Sequence, residues 1–317
     1  MYQQFFGLRE DPFRVNPDPR YLFLTPSAQE ALAGLAYGVQ SRSGIILLTG
    51  EVGTGKTTLL HKLLGWLHQN QTATAFVFHT RLGAAGLFNC MMADFGIPAE
   101  PRSKSETVIR LNRWLLDKFR MGQTAVLIVD EAQNLREQVL EEIRLLTNLE
   151  TATEKLLQIV LAGQPELEQK LKCAALRQLR QRITIRCRTL PLSLEETRGY
   201  ITMRLTTAGA KGEPVFSPGA IDAVHAFSCG VPRVINVLCQ HSLIHALSER
   251  MRPVVASVVE EVAQDFDLER YEAADERENR AQLDRGQEWA PAEELPGDLN
   301  LSPAQVALGA QARGVAE

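Results

Sequence analysis

The sequence predicts an α/β fold in which a doubly wound parallel sheet forms a three-layer αβα domain, followed by a small all-α domain. Two observations predict this architecture. Short apolar strands alternate with amphipathic helices from Gly44 to about Pro191, a pattern typical of parallel sheets that are covered by helices on both faces. From Ser193 onward, helical segments follow one another with no strand between them. The change of pattern therefore separates two domains.

The elements begin with a segment that lacks helical periodicity. Residues 1–26 include PDPRYLFLTP and predict turns and extended structure. Ser27 and Glu30 have the spacing of a capping box, which predicts a helix from there to about Ser41. The apolar run Gly44–Gly50 predicts a strand buried on both faces. Leucines at helical spacing then predict a helix over Thr57–Asn70.

The same alternation continues along the rest of the first domain. Further strands are predicted at ATAFVFHT, AVLIVDE, LQIVLAG and RITIRCRTLPL. Helices are predicted between them at Ala84–Phe95, Glu106–Phe119, Glu137–Leu149 and Glu166–Leu179. The second domain is predicted to contain four helices, at Glu195–Ala208, Ser217–Ser228, Pro232–Arg250 and Ala256–Phe266. We therefore divide the chain into an αβα domain at 1–191, with an extended segment at 1–26, a helical domain at 192–268 and a tail at 269–317.

Composition narrows the classes of function. The net charge of -4 does not indicate a general attraction to nucleic acid or to an anionic membrane. The five cysteines lack the spacing of a zinc site or a disulfide framework, which fits a reducing compartment. No signal-peptide pattern begins the chain, and no apolar run approaches the roughly 20 residues of a membrane span. We expect a cytoplasmic protein whose acidic tail is disordered, because the tail has few large apolar residues.

The segment GEVGTGKTT carries the strongest chemical signal. It matches the P-loop pattern and lies between a buried strand and an amphipathic helix, which is the context that the motif requires. Glycines let the backbone approach phosphate oxygens, and the helix N-terminus attracts the same anion. Lys56 is expected to contact the β- and γ-phosphates, and the Thr57 hydroxyl to bind Mg²⁺. The predicted nucleotide-binding residues of this loop are Gly50, Glu51, Val52, Gly53, Thr54, Gly55, Lys56, Thr57 and Thr58.

An acidic pair ends the strand AVLIV. Asp130 follows the last apolar residue, so its carboxylate is expected at the sheet edge where ligands bind. We predict that Asp130 holds Mg²⁺ through water and that Glu131 orients and deprotonates the water that attacks ATP. The alternative is a strand followed by two solvated acids. The P-loop earlier in the chain favours the catalytic interpretation, in which ATP and Mg²⁺ are the cofactors.

Gln164 follows the strand LQIVLAG directly. In an ATPase sheet of strand order 5-1-4-3-2, this strand lies between the P-loop strand and the strand that ends at Asp130. A polar side chain at its tip is expected to face the γ-phosphate. The alternative is a turn residue before Pro165.

A basic cluster follows, with seven Lys and Arg residues and no acid between Lys170 and Arg188. Three interpretations remain open: a solvated basic surface, a nucleic-acid contact, and an arginine finger offered to the ATP of a neighbouring subunit. Arg233, at the start of a helix in the second domain, could reach the phosphates or lie in solvent.

Several segments together resemble one family. The runs FFGLREDPF, PDPRYLFLTPSAQEAL, GEVGTGKTTLL, VDEAQNL, IVLAGQPEL, LRQLRQRI and GVPRVINVL are similar to the AAA+ ATPase domain of the general secretion pathway protein A family, over about Met1–Phe266. The resemblance implies an AAA+ module with a helical lid. It places Gln164 at the sensor-1 position, Arg182 at the arginine-finger position and Arg233 at the sensor-2 position.

The resemblance also implies partners. A homo-oligomer in which the finger acts in trans is expected, together with an inner-membrane protein of an envelope complex to which the ATPase attaches peripherally. No small-molecule substrate beyond ATP is expected. Two departures from the family pattern matter. This sequence has His79 where an Asn linked to Glu131 is expected. It also shows neither the membrane span nor the peptidoglycan-binding domain of the secretin-assembly members, so it resembles the short form found beside pilus and exopolysaccharide export systems.

Three functions are therefore weighed. The first is an ATP-hydrolysing motor or switch for envelope secretion, pilus or exopolysaccharide export. The second is a DNA-associated ATPase of the transposition or replication-initiation type, for which the basic cluster is the support. The third is a scaffold that binds ATP and barely hydrolyses it, against which Glu131 and the sensor residues argue.

Overall fold

A computed structural model describes residues 2–14, 19–78, 82–98 and 103–270. Its centre is a sheet of five parallel strands in the order β2-β3-β4-β1-β5. This order is the predicted 5-1-4-3-2 read from the opposite edge, so the predicted fold class is confirmed. The strands are β1 Ile45–Gly50, β2 Ala73–Val77, β3 Ala125–Val129, β4 Leu157–Gly163 and β5 Ile183–Thr189.

Helices cover both faces of this sheet, which is why every residue of β1, β3 and β4 is buried. Successive side chains of a strand point to opposite faces. Accordingly, Ile45 and Leu47 join the hydrophobic cluster on one face, and Ile46 and Leu48 join the cluster on the other. The first domain's helices are α2 Pro26–Gln40, α3 Lys56–Gln69, α4 Ala84–Asp94, α5 Lys104–Arg120, α6 Glu137–Leu146, α7 Pro165–Leu171 and α8 Arg177–Arg180.

Two local predictions in this domain are wrong. The N-cap of α2 is Thr25 and not Ser27, because the Thr25 hydroxyl accepts the Ala28 N–H at 3.1 Å. The continuous helix predicted over Glu166–Leu179 is broken after Leu171 by a 3-10 turn at 174–176. At 100° per residue, a straight helix would point Leu176 away from the face that buries Leu167. The break lets both leucines enter the same core.

The amino-terminal segment also differs from the prediction of turns and extended structure. Residues Tyr2–Phe6 form a short helix, α1, and 19–21 form a 3-10 turn. Phe6, Leu8 and Phe13 are buried in the hydrophobic cluster of the second domain. The first part of the segment thus packs on the helical domain, whereas Leu22 and Leu24 are buried in a hydrophobic cluster of the sheet domain.

The second domain consists of four helices, as predicted: α9 Leu194–Thr207, α10 Pro218–Ser228, α11 Pro232–Ser248 and α12 Ala256–Asp265. A capping box between Ser193 and Glu196 begins α9. The domain boundary proposed at Pro191 lies in the connection between Thr189 and Ser193. Among the described residues, no helix has the length and apolar character that a membrane crossing requires. His79 and the predicted tail from Tyr271 to Glu317 lie outside the described residues.

Gly230 makes a close backbone contact with Leu192 at the start of the helical domain, and replacing it with alanine is expected to destabilise the protein. Gly230 has φ 70°, and an added Cβ would lie 1.9 Å from the carbonyl oxygen of Leu192. The left-handed backbone and the steric overlap together are expected to lower the free energy of unfolding by roughly 2–4 kcal/mol. Urea unfolding followed by circular dichroism measures the loss. The matched control is Gly65→Ala on α3, where a Cβ meets no atom within 4 Å and helix propensity predicts a gain of roughly 0.5–1 kcal/mol. Equal stability of Gly230→Ala and the parent protein would contradict this account.

Candidate nucleotide-binding and hydrolysis site

The P-loop lies between the end of β1 at Gly50 and the start of α3 at Lys56. Gly53 has φ 82°, a backbone conformation that residues with side chains rarely adopt. A Cβ on Gly53 would also lie 2.8 Å from the Cβ of Arg233 in the helical domain. Glycine therefore allows both the turn of the loop and its close contact with the helical domain.

Lys56 is held beneath the loop. Its side chain is 5% exposed, and its Nζ donates to the carbonyl oxygens of Gly50 at 2.7 Å and Glu51 at 2.9 Å. Burial lowers the pKa of Lys56, and the nearby carboxylates of Glu131 and Asp130 partly oppose that shift. The ammonium group thus sits in a poorly solvated position, where phosphate oxygens would stabilise its charged form.

Thr57 and Asp130 meet at the first turn of α3. The Thr57 hydroxyl donates to Asp130 Oδ2 at 2.8 Å, and the backbone N–H of Glu131 donates to Asp130 Oδ1 at 2.9 Å. Asp130 is 4% exposed. A hydroxyl and a carboxylate are hard oxygen donors of the kind that Mg²⁺ prefers. The two residues therefore fit the metal that the P-loop implies.

The order of the strands in the sheet places Glu131 next to Gln164. β3 and β4 are neighbours, so the residues that follow them meet at the same edge. Gln164 is the N-cap of α7, and its Nε2 lies 3.3 Å from Glu131 Oε2. A second amide, from Gln133, donates to the same oxygen. Gln133 is not among the predicted site residues, and its only signal in the sequence is its position two residues after Glu131.

Arg233 belongs to the second, helical domain, which we call the lid, and lies next to the P-loop. It is the second residue of α11, and its backbone N–H donates to the carbonyl oxygen of Gly53 at 3.3 Å. The structure thus places the start of α11 directly against the P-loop. Arg233 lines the cleft between the two domains.

This cleft has a volume of about 380 Å³, within the range of small-molecule sites. The predicted site residues that line it are Val52, Gly53, Thr54, Gly55, Lys56, Thr57, Thr58, Glu131 and Arg233. Its lining does not include Gly50, Glu51, Asp130, Gln164 or Arg182. The amino-terminal segment forms one wall of the cleft with Tyr21, Phe23 and Thr25, which are not among the predicted site residues.

Arg204 connects this wall of the cleft to the lid through side-chain contacts. Its guanidinium lies over the rings of Tyr21 and Tyr200, at 5.0 and 5.1 Å from their centroids, and donates to the Pro12 carbonyl at 2.9 Å. Arg204 is 7% exposed. These contacts join the amino-terminal segment to α9.

Some side chains of the basic cluster bind other groups of the same chain, and others are exposed. Lys170 donates to two carbonyl oxygens of the turn after β3, and Arg188 pairs with Glu168 at 2.9 Å. Arg182 donates to Thr147 Oγ1 and to Asn148 Oδ1, the latter at 2.7 Å. The members with exposed side chains are Lys172, Arg177, Arg180 and Arg186.

Arg182 also lies at the opposite end of the sheet from the P-loop. Ile183, the next residue, pairs with Ile45 at the start of β1, whereas Thr189 pairs with Gly50 at its end. The length of β5 separates the two ends by about 20 Å. The structure therefore does not bring Arg182 to the cleft of its own chain.

Comparison with known proteins assigns this fold and site to the AAA+ class. The family described as "AAA domain" matches residues 39–171, which include the P-loop and the acidic pair. The Aeropyrum pernix ORC2 protein, solved as ADPNP-ADP complexes, matches with a TM-score of 0.61 at 14% identity over 84% of this chain and 73% of its own. Drosophila ORC bound to DNA matches with a TM-score of 0.60 at 20% identity over 82% of this chain and 64% of its own. At these identities the likeness shows the fold.

Within that class, the chain belongs to the family of general secretion pathway protein A. The protein of that name from Aeromonas hydrophila is 44% identical over 256 residues, which are 80% of this chain and 46% of the relative. The chain thus spans about half the length of the curated relative that it matches.

Proposed function

We propose that this chain binds ATP with Mg²⁺ in the cleft between the sheet and the lid and hydrolyses it to ADP and phosphate. The observation that carries the proposal is the grouping of Lys56, Thr57, Asp130 and Glu131 at the carboxyl edge of the sheet. Each residue type there has a separate task in phosphoryl transfer.

The proposed reaction uses these side chains as follows. Lys56 exchanges its carbonyl partners for phosphate oxygens. Thr57 and Asp130 hold Mg²⁺, which when bound stabilises negative charge on the phosphates. Glu131 accepts a proton from water as the water oxygen bonds to the γ-phosphorus. The bond from that phosphorus to the bridging oxygen breaks, and its electron pair stays on ADP. Gln164 and Arg233 are proposed to respond to the γ-phosphate as sensors.

For the biological role, we propose a motor or switch that serves a cell-envelope secretion, pilus or exopolysaccharide export system. The support is the identity of 44% to general secretion pathway protein A. The proposal includes a homo-oligomer, with Arg182 acting on a neighbour's ATP, and a partner in the inner membrane that recruits the chain from the cytoplasm.

A DNA-associated ATPase is the second candidate. Its support is the exposed set Lys172, Arg177, Arg180 and Arg186, whose side chains could contact phosphates. Against it, Lys170, Arg182 and Arg188 bind other groups of the same chain. The net charge of -4 also gives no general attraction to DNA.

Steady-state ATPase measurements at increasing protein concentration separate these functions. We expect the rate per subunit to rise with concentration and to be unaffected by DNA, because the proposed active site is completed by a neighbouring subunit. Stimulation by DNA that falls steeply with added salt would favour the second candidate instead. Tight ATP binding with negligible turnover at every concentration would contradict the proposed hydrolysis.

A further inference from the structure

We propose that Gln133 is a positioning residue that fixes the orientation of the Glu131 carboxylate. This inference rests on the proposed hydrolysis of ATP. The two oxygens of the Glu131 carboxylate differ in their hydrogen bonds. Gln133 Nε2 and Gln164 Nε2 both donate to Oε2. Oε1 has no hydrogen-bond partner among the described residues. Because two amides bind one oxygen, Oε1 is left to accept the proton of the attacking water.

The orientation of the Gln133 amide is itself fixed by its surroundings. Its Oε1 accepts the backbone N–H of Gln164 at 3.2 Å, and its Nε2 consequently faces Glu131. The backbone carbonyl of Gln133 accepts from Lys170 Nζ at 2.6 Å. Behind the amide lies Gly163, where an added Cβ would be 2.7 Å from Gln133 Oε1. Hydrogen bonds thus fix both the side chain and the backbone of Gln133.

The backbone of Glu131 has an unfavourable conformation, which also has to be stabilised by neighbouring groups. Glu131 has φ 52°, a left-handed conformation that costs free energy in a residue with a side chain. Its N–H is held by Asp130 Oδ1 at 2.9 Å. The main chain is thus fixed by Asp130, and the Gln133 and Gln164 amides fix the carboxylate at the end of a flexible side chain.

The side-chain amide of Gln133 donates to Glu131, and its oxygen accepts from Gln164, so its effect on the reaction is transmitted through Glu131. Loss of its amide would let the carboxylate rotate away from the water. Small displacements of a catalytic group can lower a rate by about 100-fold. Binding of ATP depends on the P-loop and the lid and should not change.

The test compares Gln133→Met with Asn134→Ala. Methionine keeps the length of the side chain and removes the amide donor, and Asn134 is the exposed neighbour in the same 3-10 turn. We expect kcat for ATP to fall roughly 10- to 100-fold in Gln133→Met, while the Kd for ATP and the Tm stay close to those of the parent. Asn134→Ala should match the parent in all three measurements. An unchanged kcat in Gln133→Met would overturn the inference.

A double-variant measurement separates positioning from a structural role. In a Glu131→Gln background, adding Gln133→Met should lower the single-turnover rate no further, because the group that Gln133 positions is already gone. The same fold loss in both backgrounds would show that Gln133 acts independently of Glu131 and would also overturn the inference. If the parent protein hydrolyses ATP and Gln133→Met equals it, only this inference fails. If the parent does not hydrolyse ATP, the proposed function and this inference fail together.

Discussion

Replacing Lys56 by alanine is expected to abolish ATP binding, whereas replacing Glu131 by glutamine is expected to preserve binding and stop turnover. The two side chains differ in the state that they stabilise. Lys56 lies under the P-loop and would contact phosphate in the bound ground state, so its loss weakens the complex itself. Glu131 acts on water during the reaction, and glutamine keeps its shape without accepting the proton.

The expected effects are large enough to measure directly. For Lys56→Ala, we expect the Kd for ATP to rise by at least about 100-fold, which is about 2.7 kcal/mol. For Glu131→Gln, we expect kcat to fall by roughly 10²- to 10⁴-fold at unchanged Kd. Calorimetry measures binding, and phosphate release measures turnover. Lys62→Ala on the same helix is the control for Lys56 and should behave like the parent. Normal turnover in Glu131→Gln would reject the assignment of this residue.

Removal of Arg182 is expected to lower ATP hydrolysis by about 10³-fold or more while ATP still binds. Arg182 lies at the entry of β5, at the opposite end of the sheet from its own P-loop. It can therefore reach a γ-phosphate only in a neighbouring subunit. A planar guanidinium supplied in this way stabilises transition-state charge, and lysine should not replace it well.

A mixing experiment tests action in trans. Arg182→Ala and Lys56→Ala should each be inactive alone, because one lacks the finger and the other lacks an ATP-binding loop. In a mixed assembly, some interfaces pair an intact P-loop with an intact finger, and part of the activity should return. No recovery in subunits that demonstrably assemble together would exclude Arg182 as the finger. The exposed Arg180 and Arg177 would then be the next candidates.

A structural role of Arg182 needs a separate control, because its guanidinium bonds to Thr147 and Asn148 within the same chain. Asn148→Ala removes one of those partners and leaves the guanidinium in place. If Arg182 is a finger, Asn148→Ala should keep nearly full activity. If Arg182 only holds the end of α6, the two variants should lose activity and Tm together.

The sequence by itself determined the sheet and the identity of the groups at its edge. The strands around Ile46, Ile128 and Val160 are short and largely apolar, and burial on both faces leaves a parallel sheet as their arrangement. The P-loop pattern is local, since its glycines, Lys56 and Thr57 are consecutive in the chain. Asp130 follows a buried strand directly, so its place at the carboxyl edge followed from the sequence as well.

Only the tertiary structure decided which side chains meet. Phe6 and Phe13 are apolar in the sequence, but their burial in the helical domain depends on contacts about 200 residues away. Gln133 gains its orientation from Gly163 and Gln164, and Arg182 has its partners directly after the end of α6. Periodicity and motif spacing describe neighbours along the chain. Hydrogen bonds between distant segments depend instead on how the helices and turns pack, and that packing is fixed by the hydrophobic clusters of the whole fold.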